Sequence, residues 1–194
     1  MRIKTLLLMA LVLLTIGCAR EQSIEKLGRE KMEQIEKEGF PHIQKMIVNN
    51  LKDPESYEPI STDMSIVTTD MIIYDSDAFL ALRDLERSMR DFKETYGNDS
   101  TSQEARNELH AMQAMKDVVF DRFNTIKKGS PEFEGIDVYH QFYANDRPGH
   151  KAKKGYHIIF HKDNRTSLLC DHDEFLRIKA FARELLNEPP YSSN

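Results

Sequence analysis

The feature that most constrains the fold is one change of hydrophobic period at Gly129-Ser130-Pro131. Before it, apolar residues return every three or four positions; after it, they alternate. Phe79, Leu82, Leu85, Met89, Phe92 and Tyr96 step along one helix face, with Ser76 placed to cap its start. Ala105, Leu109, Met112, Met115, Val119, Phe123 and Ile126 repeat the pattern in a second helix. The two are joined only by the turn Gly97 to Thr101, so residues 76–128 predict an antiparallel helical hairpin. Its methionines read as core filling.

Past Pro131 the alternation predicts strands. Ile136, Val138, His140, Phe142 and Ala144 share one face, while Asp137, Tyr139, Gln141 and Tyr143 share the other. A loop from Asn145 to Lys154, carrying Pro148-Gly149, leads to a strand from Gly155 to His161. A turn with Asp163-Asn164 at its tip leads to another from Thr166 to Cys170. Tyr57 to Val67 reads as an earlier strand, with Pro59 marking an edge or a strand start. A charged helix, Ile24 to Glu38, is expected to end at Gly39; Pro41 then opens a second helix, which Asp53-Pro54 stops. Asp171 or Asp173 caps a last helix whose Phe175, Ile178, Phe181, Ala182, Leu185 and Leu186 face inward. The predicted class is α+β. It is a small antiparallel sheet of about four strands with helices on one face, plus the long inserted hairpin.

The address is written at the other end of the chain. Arg2 and Lys4 precede an apolar run from Leu6 to Leu14, followed by Thr15, Ile16, Gly17 and Cys18. Charge, a short apolar stretch and a small residue make a secretory signal. The stretch is too short to cross a bilayer, which takes roughly 20 residues. Its end resembles the lipobox of bacterial lipoproteins, although Thr15 stands where leucine is usual and Leu14 sits one place earlier. That resemblance implies cleavage between Gly17 and Cys18, acylation of Cys18, and membrane attachment through the lipid. Ordinary cleavage with a free Cys18 and an uncleaved signal anchor are the alternatives. Residues 1–17 are then signal, 18–23 a polar tether, 24–188 one α+β domain and 189–194 a polar tail. The alanine after Cys18 leans toward the outer membrane, by analogy with lipoprotein sorting.

Composition narrows the partners. The chain carries 40% hydrophobic and 30% charged residues, a globular balance. Its net charge of −5 becomes −7 once Arg2 and Lys4 leave with the signal, which argues against nucleic-acid binding. Of two cysteines, an acylated Cys18 leaves Cys170 without a partner, so packing rather than a disulfide must hold the domain.

A second resemblance covers about a third of the chain. Asn50-Leu51-Lys52-Asp53-Pro54 followed by Ser56-Tyr57 resembles the start of a small domain in uncharacterised bacterial envelope lipoproteins, where a helix stops and a strand opens. Phe142-Tyr143-Ala144-Asn145, Gly149, Phe160 and Asp163 match its later parts. The resemblance implies fold and address, and no activity.

Candidate sites are few. Arg147, His150, Lys151, Lys153 and Lys154 form a basic cluster on an acidic chain, fit for an anionic headgroup, a polysaccharide or an acidic protein; a solvated loop that keeps an edge soluble is the plainer reading. His157 and His161 lie four apart on one strand face, with Cys170 across from His157 and His172 beyond it. Such a set suits zinc, but no Cys-x-x-Cys or helical His-x-x-x-His accompanies it, so no metal and no cofactor are expected. Gly-x-Ser-x-Gly, a phosphate-cradling glycine loop and His-Glu-x-x-His are all missing, and no catalytic residue is assigned. The expectation is a lipid-anchored, non-enzymatic envelope module that binds or scaffolds a protein or glycan. An inhibitor or immunity-type binder, or a small envelope hydrolase, are the rivals.

Overall fold

The structure, a computed structural model, describes residues 21–97 and 101–187. The signal, Cys18 and the tail from Pro189 lie outside them. Strands β1 (Glu58–Thr68), β2 (Phe133–Arg147), β3 (His150–His161) and β4 (Thr166–Asp171) form one sheet in sequence order. Every neighbouring pair is antiparallel, so the α+β class read from the period change holds. Pro59 is the second residue of edge strand β1, where a missing N–H costs the ladder little.

The helices are α1 (21–34), α2 (Phe40–Val48), α3 (Ser76–Tyr96), α4 (Gln103–Lys128) and α5 (His172–Asn187). Gly39 does not end a helix as expected. Instead α1 runs through a π-helical turn, Ile35–Gly39, directly into α2. In an unbroken α-helix the Pro41 ring would clash with the carbonyl four residues back; the widened turn before it gives the ring room. Residues 21–23 of the expected tether are helical and belong to α1, and 18–20 lie outside the described residues. The starts of α3, α4 and α5 carry side-chain caps. Asp75, not Ser76, accepts the Ala78 N–H at 2.9 Å, Ser102 accepts the Ala105 N–H at 3.1 Å, and Asp171 accepts the Glu174 N–H at 2.9 Å.

Helices cover both faces of the sheet, which corrects the expectation of one. Ile35, Ile43 and Ile47 pack on Ile136, Val138, Phe142, Ile158 and Phe160. On the opposite face, Phe79, Leu82 and Leu85 of α3 meet Phe175, Ile178 and Leu185 of α5, with Cys170 of β4 among them. At ~25 cal/mol per Å² of apolar surface, each such fully buried large side chain contributes about 2 kcal/mol. The α3–α4 hairpin forms as expected. Phe79, Leu82 and Leu85 of α3 and Val119 of α4 are buried, but Met89 and Leu109 farther along the stripe are exposed, so the hairpin projects from the core.

The expected loop from Asn145 to Lys154 is instead the end of a β2–β3 ribbon. Arg147 pairs with His150, and only Pro148-Gly149 turns the chain. Gly149 adopts φ 73°, the positive value that the third residue of a type II turn requires. No helix among the described residues is long and apolar enough to cross a membrane.

Candidate functional site: a buried acid–imidazole chain opening on a cavity

Strand alternation puts Asp137 and Tyr139 of β2 on the same face as His157 of β3, and Tyr139 lies opposite His157 in register. Helix α5 starts at His172 and closes over that face. Asp137 and His157 are thereby buried, at 4% and 5% exposure. Two polar groups survive there because they satisfy each other. His157 Nδ1 donates to Asp137 Oδ2 at 2.9 Å, and Tyr74 donates its hydroxyl to the same oxygen at 2.9 Å. His157 Nε2 meets His172 Nδ1 at 3.0 Å, extending the chain outward. Phe175 stacks on His157 with centroids 3.9 Å apart, and Tyr139 stacks on His172 at 4.2 Å.

Burial, and then the neighbouring His157, push the His172 imidazole below its ordinary value, while Asp173, Asp171 and Asp137 pull it back up. Tyr74 is driven well above its usual value by burial and by the Asp137 carboxylate, so it remains a donor. The outer end of the chain opens on a cavity of about 450 Å³ lined by Tyr139, Lys153, Lys154, Gly155, Asp171 and His172, among others. Gly155 is needed there: a Cβ on it would stand 2.6 Å from Tyr139 Cε2, inside the ring that stacks on His172.

His157 does lie across from Cys170. The zinc-like set does not assemble, however. His161 turns to Ser167, its Nε2 3.0 Å from Oγ, and no group of three or more His, Cys, Asp or Glu able to hold a metal occurs among the described residues. Burial pushes the Cys170 thiol up to about 12, with the negative charges of Glu174, Asp171 and Asp137 adding to it. It is a protonated core thiol at neutral pH.

His161 and Ser167 line a second cavity of about 520 Å³ with Arg122 and Arg165. Both arginines are already held: Arg122 binds both oxygens of Asp75, at 3.1 and 2.6 Å, and Arg165 Nε sits 2.6 Å from Asp163. Among the described residues the His161–Ser167 contact is the nearest approach to a nucleophile–base pair. His161 Nδ1 is buried without a partner among the described residues, so no third group orients the ring.

The basic cluster is divided by strand alternation. His150 binds Asp146 at 2.7 Å, and Lys151 pairs with Glu58 and lies over the Tyr143 ring. Arg147 faces His150 across the turn. Lys153, on the His157 face, and Lys154, on the opposite one, both line the cavity at His172, which lies at the edge of the sheet. Gly17 and Cys18 lie outside the described residues. Sequence reasoning missed Asp137, Tyr74 and Tyr139 as site residues; the available signal was that Asp137 and His157 share a face once β2 and β3 pair. No protein-family model, curated protein or solved structure matches this chain.

Proposed function

We propose that this chain is an exported lipoprotein, held in the cell envelope by lipid on Cys18, whose folded part acts as a non-enzymatic binding module. The observation that carries the reading is the segment Met1 to Cys18: charge, a short apolar run, and Gly17 before the cysteine. Residue 21, three positions after Cys18, already belongs to α1. At the standard Cα spacing that gap spans no more than about 11 Å, so an acylated Cys18 would hold α1 close to the bilayer. The membrane is thus one partner, through the anchor, and a protein or glycan is the other. The binding half is supported by two open cavities and by a buried thiol unsuited to nucleophilic work.

Radiolabelled palmitate tests the anchor. Incorporation and sedimentation with membranes are expected for the full chain and are expected to vanish in Cys18→Ser. Unchanged labelling in that variant would remove the lipoprotein reading. Leu80, Met89, Leu109 and Val118 are exposed on α3 and α4, which favours the inhibitor or immunity-type binder as the second reading. Charged substitutions at Met89 and Val118 would then abolish capture of the partner while leaving the membrane anchor intact.

A further inference from the structure

We propose that the cavity beside His172 binds the carboxylate of a small acid together with one proton, which the His157–His172 pair takes up. Hydrogen placement along the chain sets what the cavity meets. An ionised Asp137 can only accept, so His157 Nδ1 carries a hydrogen and donates it. In the neutral pair His157 Nε2 is then a bare acceptor, and His172 must donate from Nδ1. The other nitrogen of His172, Nε2, therefore presents a lone pair, and it has no partner among the described residues.

Adding one proton reverses this, whichever ring receives it. On His172, both nitrogens bear hydrogen. On His157, Nε2 donates to His172 Nδ1, and the neutral His172 tautomer carries its hydrogen on Nε2. Either way the nitrogen on the cavity side changes from acceptor to donor. An anion needs the donor form, so its binding and proton uptake are linked.

The walls select the anion. Lys153, on the His157 face of β3, and Lys154, reaching the rim from the opposite face, line the cavity with two positive charges, neither with an ion-pair partner among the described residues. Asp171 and Asp173 stand on the other side, and Asp171 is also committed to the Glu174 N–H. These four charges cancel. The relay proton offsets the buried Asp137 charge, and the phenols of Tyr74, Tyr139 and Tyr156 are uncharged. The protonated site is thus neutral overall and admits one negative charge; a dianion would place a second one beside Asp171 and Asp173. That favours a monocarboxylate over phosphate. The volume of about 450 Å³ suits a small molecule.

The inference rests on the binding-module half of the proposed function and not on the anchor. The test uses the full chain in detergent micelles, titrated with sodium acetate between pH 6 and pH 8 while the histidine side-chain nitrogens are followed by NMR. Acetate is expected to move His172 Nε2 toward its protonated resonance. Affinity should weaken about tenfold per pH unit once the free pair is neutral. Lys153→Met, at an exposed position, should weaken binding severalfold and keep that slope, and inorganic phosphate should bind less tightly at pH 8 than acetate does. The slope is read on the unsubstituted chain, so it does not depend on any variant folding. Acetate binding independent of pH, a silent His172, or tighter phosphate binding would overturn the proposal. Palmitate labelling that persists alongside any of these would leave the anchor standing.

Discussion

The β2–β3 ribbon buries one histidine on each face, and the two are treated differently. His140, at 3% exposure, sits between two hydroxyls: Tyr57 Oη lies 2.9 Å from Nε2 and Thr62 Oγ1 2.7 Å from Nδ1. A hydroxyl can donate or accept, so either neutral tautomer is satisfied and nothing is passed on. Burial pushes His140 below its ordinary value, which keeps it neutral. His157 instead faces a carboxylate, which only accepts. That fixes its tautomer and hands the asymmetry to His172 at the cavity. A hydroxyl-bound imidazole closes a core; a carboxylate-bound one can connect a core to a site.

The comparison breaks most easily at Asp137. Asp137→Ala leaves the His157 N–H and the Tyr74 hydroxyl buried without an acceptor. The expected loss is about 3 kcal/mol, read from the urea midpoint at constant m. A loss under ~1 kcal/mol would show that the pair contributes no more than the hydroxyl-bound His140. Gly155→Ala comes next. Its Cβ would meet the Tyr139 ring at 2.6 Å, so the ring must leave its stack on His172, at an expected cost of about 2 kcal/mol. His172 should change its NMR environment in that variant while His140 keeps its own.

The same contrast explains what could be read in advance. The period change at Gly129-Ser130-Pro131 was enough for the hairpin, the strands and the class, because periodicity reports which side of an element meets the core. The pairing of His157 with Cys170 was expected from a tight turn at Asp163-Asn164, yet Ile158 to Phe160 pair one residue off the register that turn sets, and an irregularity between His157 and Ile158 brings Cys170 back opposite His157. The second helical layer was not legible. Asp137, Tyr139, Gln141 and Tyr143 look like a wetted face, and a pattern of residue types cannot show that Asp137 is satisfied by His157, 20 positions away. The π turn escaped for a related reason. Gly39 and Pro41 are stop and start signals locally, and the packing of Ile35, Ile43 and Ile47 on one face of the sheet overrides them.

A smaller effect sharpens the contrast through pH. His140 and His172 both bind protons less readily in the fold than at the ordinary value of 6.5. The unfolded chain therefore holds more protons in that range, so their contribution to stability is complete above about pH 6.5 and is lost as pH falls through the folded values. Urea midpoints should fall between pH 7 and pH 5. His140→Phe should flatten part of that fall, and a slope unchanged in this variant would mean His140 is not held neutral.

The smallest expected effect is the most discriminating. Thr62→Val removes one hydroxyl from His140 with little change of shape, leaving Nδ1 unpaired while Tyr57 still holds Nε2. The expected loss is about 1 kcal/mol in the urea midpoint. Because that network ends at its two hydroxyls, nothing should reach the opposite face: the acetate affinity at His172 and its pH slope should match the unsubstituted chain. If Thr62→Val changed that slope, the two histidines would be coupled through β2, whose residues 137 and 140 anchor both networks. The separation between a closed and an open imidazole would then fail on its weakest perturbation.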